Sequence, residues 1–141
     1  MRIKYLGTAA AEGIPALFCS CEICKKVRKT RGKDIRTRSS ALIDDRLKLD
    51  FGLDSFLQMM RFDLDYSTLR SVLITHTHED HLCVGDLLCR KEGFAQVPDD
   101  IPILHVYGMS MLDARSPRSK RNDLRLYKCI RSKPLRSRAM R

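Results

Sequence analysis

The 141-residue chain lacks any apolar run long enough to cross a bilayer, which excludes a membrane-spanning helix. Its start, Met-Arg-Ile-Lys-Tyr-Leu-Gly, lacks the apolar stretch of a signal peptide, so a cytoplasmic protein is expected rather than a secreted one. Six cysteines without such a signal read as thiols or metal ligands, not disulfides. No internal repeat is evident. The hydrophobic fraction of 43% is nonetheless that of a globular protein, and the length suits one domain.

Net charge is nearly absent from the first 108 residues, which hold 16 Lys/Arg against 15 Asp/Glu. Residues 109–141 hold 11 against 2, so the overall +10 belongs to this C-terminal stretch. The stretch is also poor in core formers, with five Leu, Ile, Val and Phe among 33 residues, and the combination predicts a disordered basic tail. Arg, Ser and Leu make up 17 of those 33 residues, against 29 of the first 108. Translation in a shifted reading frame produces such a change, and so does a true basic arm. The organisation read here is a folded unit at 1–108 and a basic tail at 109–141.

Within the folded unit, Arg2–Leu6 alternates as a strand ending at Gly7. Glu22–Thr30 reads as a short basic helix closed by Gly32. Ser40–Ile43 and Leu47–Phe51 flank Asp44-Asp45-Arg46 as a hairpin, with Leu47, Leu49 and Phe51 on one face and Lys48 and Asp50 on the other. Leu53, Phe56, Leu57 and Met60 form the stripe of an amphipathic helix, with Met59 and Met60 as core filler. Leu69–Ile74 reads as a buried strand, His81–Arg90 as a helix ended by Gly93, and Ile103–Tyr107 as a last strand. Strand and helix patterns alternate, which predicts an α/β layered fold.

The densest chemistry follows the buried strand, in Thr75-His76-Thr77-His78-Glu79-Asp80-His81. Three imidazoles and a carboxylate within six residues form a ligand set suited to zinc or manganese. A polar loop meeting solvent explains one histidine, not this cluster. His76 and His78, two apart in an extended turn, are placed to grip one ion, while Asp80 and His81 turn toward a second. Two such ions activate water and clamp the oxygens of an ester, and Asp80 is the residue to orient that water or take its proton.

A second cluster, Cys19-Ser20-Cys21-Glu22-Ile23-Cys24, offers three zinc ligands where a structural site needs four. Lys25, Lys26 and Arg28 favour thiolates beside it. The bland alternative is three small apolar side chains in a loop. Cys83 and Cys89, in the apolar helix, read as buried thiols.

Thr75–His81 resembles the first metal motif of the metallo-β-lactamase superfamily, and Leu49-Asp50-Phe51-Gly52 resembles the strand-end aspartate and glycine that precede it there. The resemblance covers about residues 1–108. It implies the N-terminal half of an αββα sandwich, with Asp50 supporting the centre without holding a metal. The cysteine cluster after Gly7–Gly13 is similar to the branch of cyclic-phosphate phosphodiesterases. In that branch three cysteines, matched by Cys19, Cys21 and Cys24, hold a structural zinc together with a distant histidine. The family completes its two centres with a His, an Asp and a His from its later half. After His81 this chain has one histidine, His105, inside a predicted strand. The unit at 1–108 is therefore read as incomplete.

These observations predict a metal-dependent hydrolase of phosphodiester or cyclic phosphate bonds, acting on a small phosphodiester and weakly active or inactive as it stands. A homodimer is the arrangement in which a second subunit supplies missing ligands. The alternative is a nucleic-acid-binding protein, or an RNA-processing nuclease of the same superfamily, using the tail arginines on phosphates. The tail carries one aromatic, Tyr127, which supports stacking on bases poorly.

Overall fold

In the computed structural model, which describes residues 1–91, 93–100, 103–108 and 127–131 (the last five as backbone), the strand signals join into one mixed sheet. Its strands are β1 (Ile3–Gly7), β2 (Ser40–Ile43), β3 (Leu47–Leu49), β4 (Ser71–Leu73), β5 (Leu104–Gly108) and β6 (Tyr127–Arg131), adjacent in that order. The first three strands pair antiparallel and the rest parallel. The β2–β3 turn holds Asp44 and Asp45 at φ 48° and 55°, the pair of left-handed residues that matches the twist of a tight hairpin.

Helices α1 (Glu22–Thr30), α2 (Ser55–Phe62) and α3 (Val84–Leu88) complete the α/β architecture. The core lies on one face of the sheet, where Leu6, Leu42, Val72, Leu104 and Val106 pack with Leu69, Ile74, Leu82 and Leu87. Each such side chain removed from water contributes about 1.5–3 kcal/mol. The opposite face presents the row Tyr5, Ala41, Leu49, Leu73, Tyr107, in which Tyr5 is 72% and Leu73 40% exposed. No helix among the described residues is long and apolar enough to cross a membrane.

The structure departs from the sequence reading in three places. Helix α2 forms, but Leu53, Phe56, Leu57 and Met60 are exposed, and Ser55 and Gln58 face the core instead. Met60 is therefore not core filler, and Met59 is only half-buried. Polar demand decides the orientation. Ser55 Oγ donates to the Gly52 carbonyl at 2.8 Å, and the Gln58 amide donates to the Arg38 carbonyl at 3.0 Å.

Helix α3 is shorter than the expected His81–Arg90. The backbone of 81–83 is spent on a bridge to Phe51, with Phe51 N–H donating to the His81 carbonyl at 2.8 Å and Cys83 N–H to the Phe51 carbonyl at 2.7 Å. Cys83 and Cys89 consequently flank this helix, one half-buried and one exposed, and are not buried core thiols. Within the stretch read as a basic tail, the backbone of Tyr127–Arg131 lies in parallel register with β5. The rest of 109–141, and the reading-frame expectation attached to it, lies outside the described residues.

Candidate metal centre

The histidine motif sits at the carboxyl ends of the parallel strands β3 and β4, where open α/β sheets place their ligands. Two backbone features put it there. Asp50 leaves β3 in the left-handed region at φ 55°, a conformation that costs a non-glycine residue about 1–2 kcal/mol. Gly52 lets the motif loop pass close by, since a Cβ there would stand 1.9 Å from the Asp80 carbonyl oxygen. The glycine of the Asp-Phe-Gly element is required by this close approach.

The turn aims the Asp50 carboxylate into the motif, where the side chain is 7% exposed. Its Oδ1 accepts from Thr75 N–H at 2.8 Å, and both oxygens lie within 3.0 Å of Thr75 Oγ1. Its Oδ2 is 2.7 Å from His81 Nδ1. With the proton on that nitrogen, Nε2 is the atom His81 offers to a metal, and it lies 3.1 Å from Asp80 Oδ2. With the Thr75 hydroxyl given to Asp50, its oxygen is left to accept from His76 Nδ1 at 3.1 Å.

Ligand atoms of His76, Asp80 and His81 all lie within 4.8 Å of one another. The structure thus brings together three of the four expected ligands. His78 is exposed and stands outside that group, its ring edge-on to His76 with centroids 4.8 Å apart. Two imidazoles and a carboxylate on one point, with both imidazoles oriented through their far nitrogens, fit a divalent ion of the zinc or manganese type. Thr75, which ties Asp50 to both histidines, was not singled out from the sequence; its one signal was its place directly before the first ligand.

The thiols of Cys19, Cys21 and Cys24 also converge within 4.8 Å. Cys21 caps α1 and accepts from Cys24 N–H at 3.5 Å. That backbone bond, followed by bonds from Cys19 and Cys24 thiols, brings the Cys21 thiol down to about 7. Arg28 pins the preceding loop to the helix by donating to the carbonyls of Ala16 at 2.9 Å and Cys19 at 2.6 Å. Three thiols with one acidified fit a zinc ion, and among the described residues no fourth ligand joins them. His105 does not reach the histidine motif: it is paired with Ser71, four residues and about 13 Å of strand before Thr75.

No family model matches the chain. Among curated proteins it is 34% identical over 86 residues to an octanoyltransferase of Porphyromonas gingivalis, covering 58% of this chain and 16% of that one. It is 33% identical over 105 residues to coenzyme PQQ synthesis protein B of Methylobacterium radiotolerans, covering 66% of this chain and 34% of that one. Among solved structures, a diphosphatase of the PhnP family superposes with TM-score 0.69 and 18% identity over 93% of this chain and 50% of its own. Zinc-bound PqqB of Methylobacterium extorquens superposes with TM-score 0.66 and 24% identity, over 93% and 46%. The metallo-β-lactamase-fold protein YhfI of Bacillus subtilis gives TM-score 0.58 and 18% identity, over 94% and 46%. The chain has the metallo-β-lactamase fold, as the motif resemblance implied. It spans about half the length of these structures, and about a third or less of the curated relatives.

Proposed function

We propose that this chain carries the first half of the active centre of a metal-dependent hydrolase acting on small phosphodiesters or cyclic phosphates. The observation that carries the reading is the convergence of His76, Asp80 and His81, with Asp50 and Thr75 fixing both imidazoles. When bound there, zinc or manganese supplies Lewis acidity toward water and a phosphoryl oxygen. His78, exposed beside this group, would serve a second ion. The Asp80 carboxylate, 14% exposed beside His81, orients water and takes its proton at a carboxylate oxygen. Asp50 keeps His81 in one tautomer throughout. A cytoplasmic setting suits the free thiols, which a reducing compartment preserves.

The choice of a phosphate ester rests on the cysteine trio and on likeness to the PhnP-family diphosphatase. The nucleic-acid alternative rests on the composition of 109–141, most of which lies outside the described residues. Among the described residues one sheet face is partly exposed at Tyr5 and Leu73, and the chain spans about half the length of the PhnP-family diphosphatase. The test is hydrolysis of bis(p-nitrophenyl) phosphate with added manganese. The 141-residue chain should remain near background, and a longer form supplying the second half should turn over in an Asp80-dependent way. A longer form that binds metal and hydrolyses no phosphodiester would remove the substrate reading.

A further inference from the structure

Lys48, in the middle of β3, is fully buried at 0% exposure, in one cross-strand row with Leu42, Val72 and Val106. An ammonium group there is costly, and a methionine or leucine would fill the same space without that cost. Core stability therefore does not account for it. Burial pushes the Lys48 amine from 10.5 down to about 7, against the opposing pull of the Asp50 charge.

What the amine does touch is specific. Its three donors meet three acceptors: Ser40 Oγ at 2.5 Å, the Asp50 carbonyl at 2.9 Å and Gln58 Oε1 at 3.2 Å. The Ser40 hydroxyl is shared between the carbonyls of Leu49 at 2.8 Å and Asp50 at 3.2 Å. Gln58 is held in turn by donation to Thr37 Oγ1 at 3.3 Å and the Arg38 carbonyl at 3.0 Å. The rings of Phe51 and Tyr66 close over the amine at 5.2 and 5.6 Å. The contacts of Lys48 and Ser40 meet on the carbonyl of Asp50. That residue holds a left-handed turn, and its carboxylate carries Thr75 and His81.

We infer that Lys48 is a positioning residue for the metal centre: with Ser40 and Gln58 it clamps the Asp50 carbonyl, so that the Asp50 carboxylate presents His81 with Nε2 facing the ligand point. The inference rests on the metal reading of His76, Asp80 and His81, but its structural part is observable without metal.

The test uses the 141-residue chain with 15N-labelled histidine, read metal-free by NMR, then by manganese titration, with urea unfolding alongside. The wild type should show a single His81 signature with a hydrogen-bonded Nδ1–H. Lys48→Met should lose that signature and about 10–100-fold in manganese affinity, with its unfolding midpoint unchanged or raised. Should Lys48→Met fail to fold, Gln58→Leu and Ser40→Ala carry the test, each expected to give an intermediate loss of the signature. Folded variants that keep the wild-type His81 signature and affinity overturn the inference. A wild type that binds no manganese, but whose His81 signature still depends on Lys48, upholds the positioning and removes the metal reading.

Discussion

His81 Nδ1 lies 2.7 Å from Asp50 Oδ2 across 31 residues of sequence. That contact ties the end of β3 to the loop after β4 and decides which imidazole nitrogen is free. Asp50→Asn keeps the shape but places an amide or a neutral oxygen opposite His81. Manganese or zinc affinity should fall about 10–100-fold, measured by competition with a chromophoric chelator, while the far-ultraviolet spectrum is retained.

Gly52→Ala tests the close approach of the motif loop. The added methyl would meet the Asp80 carbonyl at 1.9 Å, and the obstacle is backbone, which cannot swing aside. Destabilisation of about 1–3 kcal/mol in urea unfolding is expected, together with weakened metal uptake. A stability equal to wild type would show that the loop does not press on Gly52.

The two classes of thiol should separate by reactivity. Metal-free Cys21, brought down to about 7, should alkylate with iodoacetamide at neutral pH well before Cys83, whose thiol burial pushes up. Zinc should protect Cys19, Cys21 and Cys24 together, and Cys21→Ser should abolish that protection. Peptide mapping by mass spectrometry reads both effects. Equal alkylation rates for Cys21 and Cys83 would contradict the assignment.

Lys48 makes the stability of the fold depend on pH. In the unfolded chain the amine holds its proton up to its ordinary 10.5, whereas in the folded chain it begins to lose it at about 7. Between these values the unfolded state binds more protons, so stability rises with pH, by at most about 1.4 kcal/mol per pH unit. Wild type measured against Lys48→Met should gain stability from pH 7 to pH 10. A flat difference would mean that the amine stays protonated in the fold.

Much of this was legible in the residues. The bounds of α1 and of β2 follow from local pattern, as does the hairpin turn at Asp44-Asp45, because neighbouring residues alone set them. The ligand cluster was legible for the same reason, being contiguous after a strand. The orientation of α2 was not. Its apolar stripe suggests one buried face, but the helix turns on Gln58, whose partners at Thr37, Arg38 and Lys48 are between 10 and 21 residues away. Nor did alternation in β3 reveal that the polar face, with Lys48 and Asp50, is the buried one. Buried polar networks are closed by distant partners, and periodicity carries no record of them.

Manganese is the ion to use for asking whether His76, Asp80 and His81 form one divalent-metal centre, because thiolates compete for it poorly. The measurement is the loss of free manganese signal in electron paramagnetic resonance as the chain is titrated, compared between wild type and His76→Ala/His81→Ala. Saturable uptake is expected for the wild type and none for the double variant at the same concentrations. Equal uptake by both chains would contradict it.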